Sequence, residues 1–176
     1  MHVVNRAFQT GHQASERQIN RLLRAMYHLF KDVPARRAQY IDATGKSVFP
    51  SKFCEIRWTQ NTSARKRALD VFDDVIQFVK TVKLPKLTSV DTIKDAVSDP
   101  LTKAKLASFV TITQLLEGFL TAFQSNASMA PYLYDDLQEV VKSLMRRCVK
   151  PEVIEKAATA AQLMKIDLDD SKNLLS

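Results

Sequence analysis

The chain has 176 residues, of which 45% are hydrophobic and 26% charged, as is typical of one soluble globular domain. No apolar run approaches the ~20 residues that cross a bilayer, and the N-terminus lacks the pattern of a secretory signal. These features predict an intracellular protein with no membrane association. The two cysteines, Cys54 and Cys148, are far apart and lack metal-ligand spacing, which argues against a disulfide framework or a zinc site.

The net charge of +7 is concentrated in the first half of the chain. Residues 1–90 contain 16 Lys or Arg against 7 Asp or Glu, whereas residues 91–176 contain 10 against 12. Lysines and arginines displace condensed counterions from phosphates, so this asymmetry indicates a polyanionic partner, of which nucleic acid is the commonest. A basic, solvated helix surface would give the same pattern.

The first predicted helix covers residues 15–31, where apolar residues recur every three or four positions and arginines lie off the apolar stripe. The stripe consists of Ile19, Leu22, Leu23, Met26, Leu29 and Phe30. Pro34 suits the first turn of a second helix, PARRAQYI, which Gly45 closes.

Two further helices are predicted between Thr62 and Phe123. The first follows Thr62 or Ser63 as a cap and ends before Pro85. Asp99 and Pro100 then open the longest helix of the chain. The stripe of that helix consists of Leu106, Phe109, Val110, Thr113, Leu116, Leu120 and Phe123.

The last part of the chain is predicted to contain two helices and a loose tail. One helix covers residues 132–148, and Pro151 starts the other. The tail KIDLDDSKNLLS has no helical stripe. Only SKFCEIRW, residues 51–58, favours an extended segment. Because one strand cannot form a sheet without a partner strand, this segment indicates that the chain is part of a larger protein.

Several sequence segments of this chain resemble the hAT superfamily of transposase-like proteins, in particular domesticated or truncated copies. They are FKDVPARRAQY, TG, FPSKFCEIRW and TSARKRALDVF, followed by SDPLTKAKLASF, the segment from APYLYDDLQEVV to KPEVI, and KIDLDDSKNLL. The similarity therefore covers essentially the whole chain. In that family a Cys-x-x-His motif precedes this region, and His2 corresponds to its histidine.

The resemblance implies a mainly α protein. Residues 1–60 would be a fragment of a ribonuclease-H-like core, a helix plus a short strand, and residues 61–176 a bundle-like helical insertion domain. The family's two catalytic aspartates lie upstream of this region and its glutamate downstream, so the resemblance implies no enzyme activity and no catalytic residue here. It also implies a nuclear location.

The candidate DNA-binding residues are Arg57, Trp58, Arg65, Lys66 and Arg67. Arg57 and Trp58 match the family's Arg-Trp motif, which implies contact with distorted DNA. An indole can stack on an unpaired base, a contact worth ~1 to 3 kcal/mol, although a lone tryptophan can equally anchor a core. The three cations that start the next helix cannot share one face, so at least one must point away from a common ligand.

No metal site or cofactor is predicted. The pairs Asp73-Asp74, Asp135-Asp136 and Asp169-Asp170 are adjacent in sequence, and neighbouring carboxylates on a helix point about 100° apart. The chain has only three glycines, which disfavours a phosphate-binding loop for a nucleotide. It lacks the Ser-His-Asp order of a hydrolase and the His-x-x-x-His spacing of a zinc site.

Two functions follow from these patterns. The first is a transposase-derived fragment without chemistry that retains DNA binding, and the second is a helical structural or protein-interaction module. An active recombinase would need a partner chain to supply the catalytic acids. Loss of the family's central strands would expose the apolar stripe of the first helix, so we expect residues 1–60 to be loosely packed or to self-associate.

Overall fold

The computed structural model of the chain describes residues 17–53, 62–123 and 130–175, which form nine α-helices. The helices are α1 (Arg17–Phe30), α2 (Pro34–Thr44), α3 (Thr62–Asp70), α4 (Phe72–Thr81), α5 (Thr88–Ser98), α6 (Thr102–Ala122), α7 (Leu133–Met145), α8 (Pro151–Glu155) and α9 (Ala160–Leu163). The mainly α prediction is confirmed. None of these helices is both long and apolar enough to span a membrane.

The chain divides into two compact units, residues 1–113 and 114–176. The core of the first unit includes residues from both sides of the predicted boundary at residue 60, among them Phe30, Phe53 and Phe78. An aromatic cluster lies within this core, with the Phe30 and Tyr40 ring centroids 4.9 Å apart and those of Tyr40 and Phe78 5.5 Å apart.

Helix α1 confirms the first predicted helix, but the expectation that its apolar stripe is exposed is wrong. Leu22, Met26 and Leu29 have no exposed surface, and Leu23 and Phe30 are almost fully buried. The stripe is buried because α1 packs mainly against α5. The expected loose packing is therefore wrong for α1, and its buried stripe is not an exposed surface for self-association. Residues 1–16 and 54–60 of the predicted loose region lie outside the described ranges.

Helix α5 has no counterpart among the predicted elements. Its buried residues Val90, Ile93 and Ala96 recur every three positions, which places them on one face of the helix. At its C-terminal end, the Thr102 hydroxyl of α6 donates a hydrogen bond to the Ala96 carbonyl. This bond ties the last turn of α5 to the first residue of α6.

Helix α2 begins at Pro34 and ends just before Gly45, as predicted. Gly45 has φ +67°, the left-handed conformation that a glycine adopts without a Cβ penalty, and its N–H donates to the Ile41 carbonyl at 2.7 Å. Arg36 and Arg37 reach back to the end of α1. Arg36 Nη1 lies 2.6 Å from the Leu29 carbonyl oxygen, and Arg37 Nε lies 3.0 Å from that of Phe30.

The helix predicted from Thr62 to the region before Pro85 is two helices. Helix α3 ends at Asp70, Val71 lies between the helices, and α4 begins at Phe72. Asp73 and Asp74 occupy the first turn of α4, where negative charge is favoured by the helix dipole, so a new helix start suits this position. The predicted long helix is confirmed as α6, with Leu106, Phe109 and Leu120 buried.

The second unit contains a small core of Val149, Ile154, Ala157 and Leu163. The tail predicted to be loose instead packs beside this core, because its backbone pairs with the segment before α8. Leu175 N–H donates to the Cys148 carbonyl and Lys150 N–H to the Asn173 carbonyl, both at 2.9 Å. Val149 and Leu174 form an isolated antiparallel bridge.

The extended segment predicted at residues 51–58 is only partly described. Residues 51–53 are neither helix nor strand, and residues 54–58 lie outside the described ranges. Within the ranges that the structure describes, no β-strand forms. The assignment of a ribonuclease-H-like fragment therefore stays a prediction.

Candidate nucleic-acid interface

The side chain of Arg65, one of the predicted DNA-binding residues, is buried and cannot reach DNA in this structure. It has no exposed surface, and its guanidinium carbon lies 4.5 Å from the Phe109 ring centroid and 5.4 Å from that of Phe53. Helix α3 packs inward through Ala64, Arg65 and Ala68. The guanidinium therefore works as a flat, cationic component of the core that interacts with aromatic faces.

Lys66 and Arg67 follow Arg65 on α3 and are exposed. This separation agrees with the expectation that the three cations cannot share one face. Arg57, Trp58 and His2 lie outside the described residues, so the role of the Arg-Trp motif stays a prediction.

A groove with a volume of about 430 Å³ lies between α1 and the start of α5, and two arginines and a histidine are among the residues that line its mostly apolar surface. We call it the basic groove. From α1 it is lined by Arg21, Arg24, Ala25 and His28, and from the α5 side by Leu87, Thr88, Ser89 and Thr92. Arg21, Arg24 and His28 are spaced three and four residues apart, which places them on one face of α1.

The start of α5 contributes hydrogen-bond donors to this groove. The residue before the helix, Leu87, makes no side-chain capping bond to it. The Val90 and Asp91 N–H groups already donate to the Leu87 carbonyl, at 3.0 and 3.1 Å. The first turn of a helix carries partial positive charge, which favours an anion there. Thr88 and Ser89 add hydroxyl groups, whereas the Thr92 hydroxyl donates to the Thr88 carbonyl at 2.8 Å.

Three arginines outside the groove have structural partners in the described part of the chain. Arg36 and Arg37 bind the last carbonyls of α1, and the Arg37 guanidinium also lies 5.3 Å from the Phe49 ring centroid. Arg146 pairs with Glu139 at 2.7 Å. A helix C-terminus favours positive charge, so Arg36 and Arg37 stabilise the join between α1 and α2.

The paired carboxylates occupy places that suit helix and turn geometry. Asp73 and Asp74 lie in the first turn of α4, Asp135 and Asp136 in the first turn of α7, and Asp170 accepts the Lys172 N–H at 2.9 Å. Within residues 17–53, 62–123 and 130–175, no three His, Cys, Asp or Glu residues form a group that could hold a metal ion.

The sequence analysis did not predict the basic groove because it did not predict α5. The spacing of Val90, Ile93 and Ala96 indicates that helix, and the spacing of Arg21 and Arg24 places both on one face of α1. A helix between Pro85 and Pro100 would have supplied the second wall.

No protein-family model, no curated protein and no solved structure matches this chain. The resemblance to hAT transposases therefore stays a prediction.

Proposed function

We propose that this chain is a transposase-derived helical protein that binds DNA through the basic groove and catalyses no reaction of its own. The observation that carries the proposal is the convergence of Arg21, Arg24 and His28 on the uncapped start of α5. The origin as a ribonuclease-H-like remnant followed by a helical insertion, and a nuclear location, belong to the same proposal and rest on the resemblance.

The charge distribution supports a polyanion as the ligand. The first unit, residues 1–113, contains 19 Lys or Arg against 10 Asp or Glu, whereas residues 114–176 contain 7 against 9. A unit with a net charge of +9 attracts polyanions over distances comparable to the Debye length, about 8 to 10 Å in physiological salt. The groove then provides short-range contacts for a phosphate.

The chemistry of the groove suits a phosphate of the DNA backbone. Arginine guanidinium groups donate paired hydrogen bonds to phosphate oxygens, and the hydroxyls and first amides of α5 supply neutral donors. Such contacts position a duplex without reading its sequence. We therefore expect binding with little base preference and with strong dependence on salt.

The test is the affinity of the full chain for a fluorescent duplex, measured at several salt concentrations by fluorescence anisotropy. For each phosphate contact, the slope of log K against log salt changes by ~0.9. The double variant R21A/R24A should weaken binding and make this slope shallower by about 2. The control variant K156A/K165A removes two exposed cations of the second unit and should leave the slope unchanged.

The outcomes separate the two functional hypotheses. An equal loss of affinity in both double variants would place binding in the overall charge and contradict the groove. No binding at low salt would contradict DNA binding altogether and favour the helical protein-interaction module. Circular dichroism of each variant checks that the fold is intact.

The Arg-Trp motif is tested with a DNA hairpin, whose loop presents unstacked bases. If Trp58 stacks on such a base, W58A should lower the affinity for the hairpin by ~5- to 150-fold, and that for the duplex much less. An equal effect on hairpin and duplex, or a loss of thermal stability alone, would favour the core-anchor interpretation of Trp58.

A further inference from the structure

A second cleft of the first unit lies between α4 and α5, with a volume of about 230 Å³. We call it the lysine cleft. Its lining includes four branched aliphatic residues and two lysines, namely Ile76, Val79 and Lys80 of α4, and Ile93, Lys94 and Val97 of α5. These residues of α5 differ from those that line the basic groove, so the two sites lie on different sides of the helix.

The floor of the lysine cleft is apolar because it belongs to the core of the first unit. Ile93 has no exposed surface, and Val79 is buried as well. Ile76 and Val97 are half-buried and pack against the same core. Because the described helices cover these two side chains only in part, the floor retains apolar surface that a ligand can bury.

The two lysines lie at the rim of the cleft, one from each helix. Both Lys80 and Lys94 are exposed, and neither forms an ion pair with any of the described residues. Asp91 and Asp95, the acids nearest to Lys94 along α5, are not part of the cleft lining. The rim therefore presents two ammonium groups above an apolar floor.

We propose that the lysine cleft binds a small aliphatic acid, an apolar chain that carries one carboxylate. The chain packs on the aliphatic floor, and the carboxylate accepts hydrogen bonds from the two ammonium groups at the rim. The Ser98 hydroxyl, which also lines the cleft, already donates to the Asp95 carbonyl at 2.6 Å, so the lysines are the donors. Burial of the chain provides affinity, and charge selects an acid.

The volume of the cleft limits the size of this ligand. Cavities of ~150 Å³ bind benzene, and pockets for drug-sized ligands have ~300 to 1,000 Å³. The lysine cleft lies between these values, which corresponds to a ligand of roughly ten non-hydrogen atoms. A carboxylate is a small acidic group, which suits a cleft of this size. We expect a dissociation constant of about 0.1 to 1 mM.

An NMR titration of the isotope-labelled full chain with octanoate tests the proposal. Octanoate should shift the methyl signals of Ile76, Ile93 and Val97 until the site is saturated. Octylammonium has the same aliphatic chain and the opposite charge, so the lysines should weaken its binding at least ~10-fold relative to octanoate. Equal binding of the two ligands, or no saturable shift with octanoate, would overturn the proposal.

A charge-reversal variant tests the role of the lysines. K80E/K94E should bind octylammonium more tightly than octanoate, because the rim is then negative. The control K46E/K52E changes two other exposed lysines of the first unit by the same charge and should still prefer octanoate. All four side chains are exposed, so circular dichroism should match that of the parent chain. A preference for octanoate that survives in K80E/K94E contradicts the proposed site.

The basic groove also attracts anions, so a further variant locates the ligand. R21A/R24A removes the arginines of the groove and should bind octanoate with the affinity of the parent chain. If R21A/R24A lost octanoate binding, the acid would occupy the basic groove and the proposal would be wrong. These titrations contain no DNA, so a failure here leaves the proposed DNA binding untouched, and the absence of DNA binding leaves the lysine cleft untouched.

Discussion

The two units of this chain are stabilised in different ways. Among the described residues, 21 buried apolar side chains form the core of the first unit, against four in the core of the second. Burial of apolar area is the main favourable term in folding, so the first unit can depend on its core alone. The second unit depends more on caps, on backbone pairing by its tail and on partly buried contacts.

This difference teaches where function can be placed. The first unit buries a large apolar core and presents two arginines and a histidine in the basic groove. The second presents α7, none of whose residues is buried. A charged surface suits a polyanion, and an exposed apolar surface suits a protein partner.

The largest effect is expected from Phe30→Ala in the first core. Phe30 is 1% exposed and its ring contacts those of Tyr40, Phe49 and Phe78. Removing a buried aromatic ring costs about 3 to 5 kcal/mol through lost burial and a cavity. Urea denaturation should show this loss in the free energy of unfolding, and a loss below 1 kcal/mol would contradict the packing of α1.

Arg65→Ala should lower the free energy of unfolding by about 2 to 4 kcal/mol, because it removes a buried side chain and its contacts with two aromatic rings. Lys66→Ala, its exposed neighbour, should change it by less than about 0.5 kcal/mol. The pair of variants separates a core cation from a surface cation, and equal effects would show that Arg65 is not buried.

The helices that the sequence predicted best have both an apolar stripe and a residue that marks a helix boundary. Pro34 and Gly45 bound α2, and Asp99 and Pro100 precede α6, so stripe and boundary agreed. Helix α5 lacks a side-chain cap and its apolar residues are few, so its local signal is weak. Its place comes from tertiary packing on α1, which no local pattern contains.

The candidate site was harder to predict because exposure depends on that packing. Arg65, Lys66 and Arg67 look alike in the sequence, and only the position of Phe53 and Phe109 makes one of them a core residue. The basic groove likewise needs two walls, one from residues 21–28 and the other from residues 87–92, which are far apart in the sequence. Long-range contacts of this kind cannot be derived from spacing alone.

Hydrogen exchange should reveal the difference in stability between the units. Amides of α1 and α5 should open only with the first core, whereas those of α8 and α9 should open with the smaller one, at a free energy lower by about 2 kcal/mol or more. This corresponds to protection at least ~30-fold weaker. Equal protection in α1 and α9 would show that the two cores unfold together.

A smaller effect is expected at the start of α9, where Thr159 and Gln162 form a capping box. The Thr159 hydroxyl accepts the Gln162 N–H at 3.3 Å, and the Gln162 side-chain oxygen accepts the Thr159 N–H at 3.2 Å. Thr159→Ala should destabilise the second unit by about 1 kcal/mol, and Thr159→Ser should retain most of the cap. If both variants had the same melting temperature, the cap would contribute little.

The smallest effect is a pH dependence from the first core. Burial raises the pKa of the Tyr40 phenol above its ordinary value of about 10, and the nearby Asp74 carboxylate raises it further. Between that ordinary value and the raised one, the unfolded chain has lost this proton while the folded chain retains it. The contribution is therefore complete below pH ~10 and is lost as the pH rises through the folded pKa.

The variant Y40F isolates this contribution from the lysines, which titrate in the same range. Denaturation from pH 9 to pH 11 should show the parent chain losing stability relative to Y40F as the pH rises. If the parent and Y40F curves stayed parallel, Tyr40 would titrate alike in both states, and the aromatic cluster would not exclude water as its burial requires.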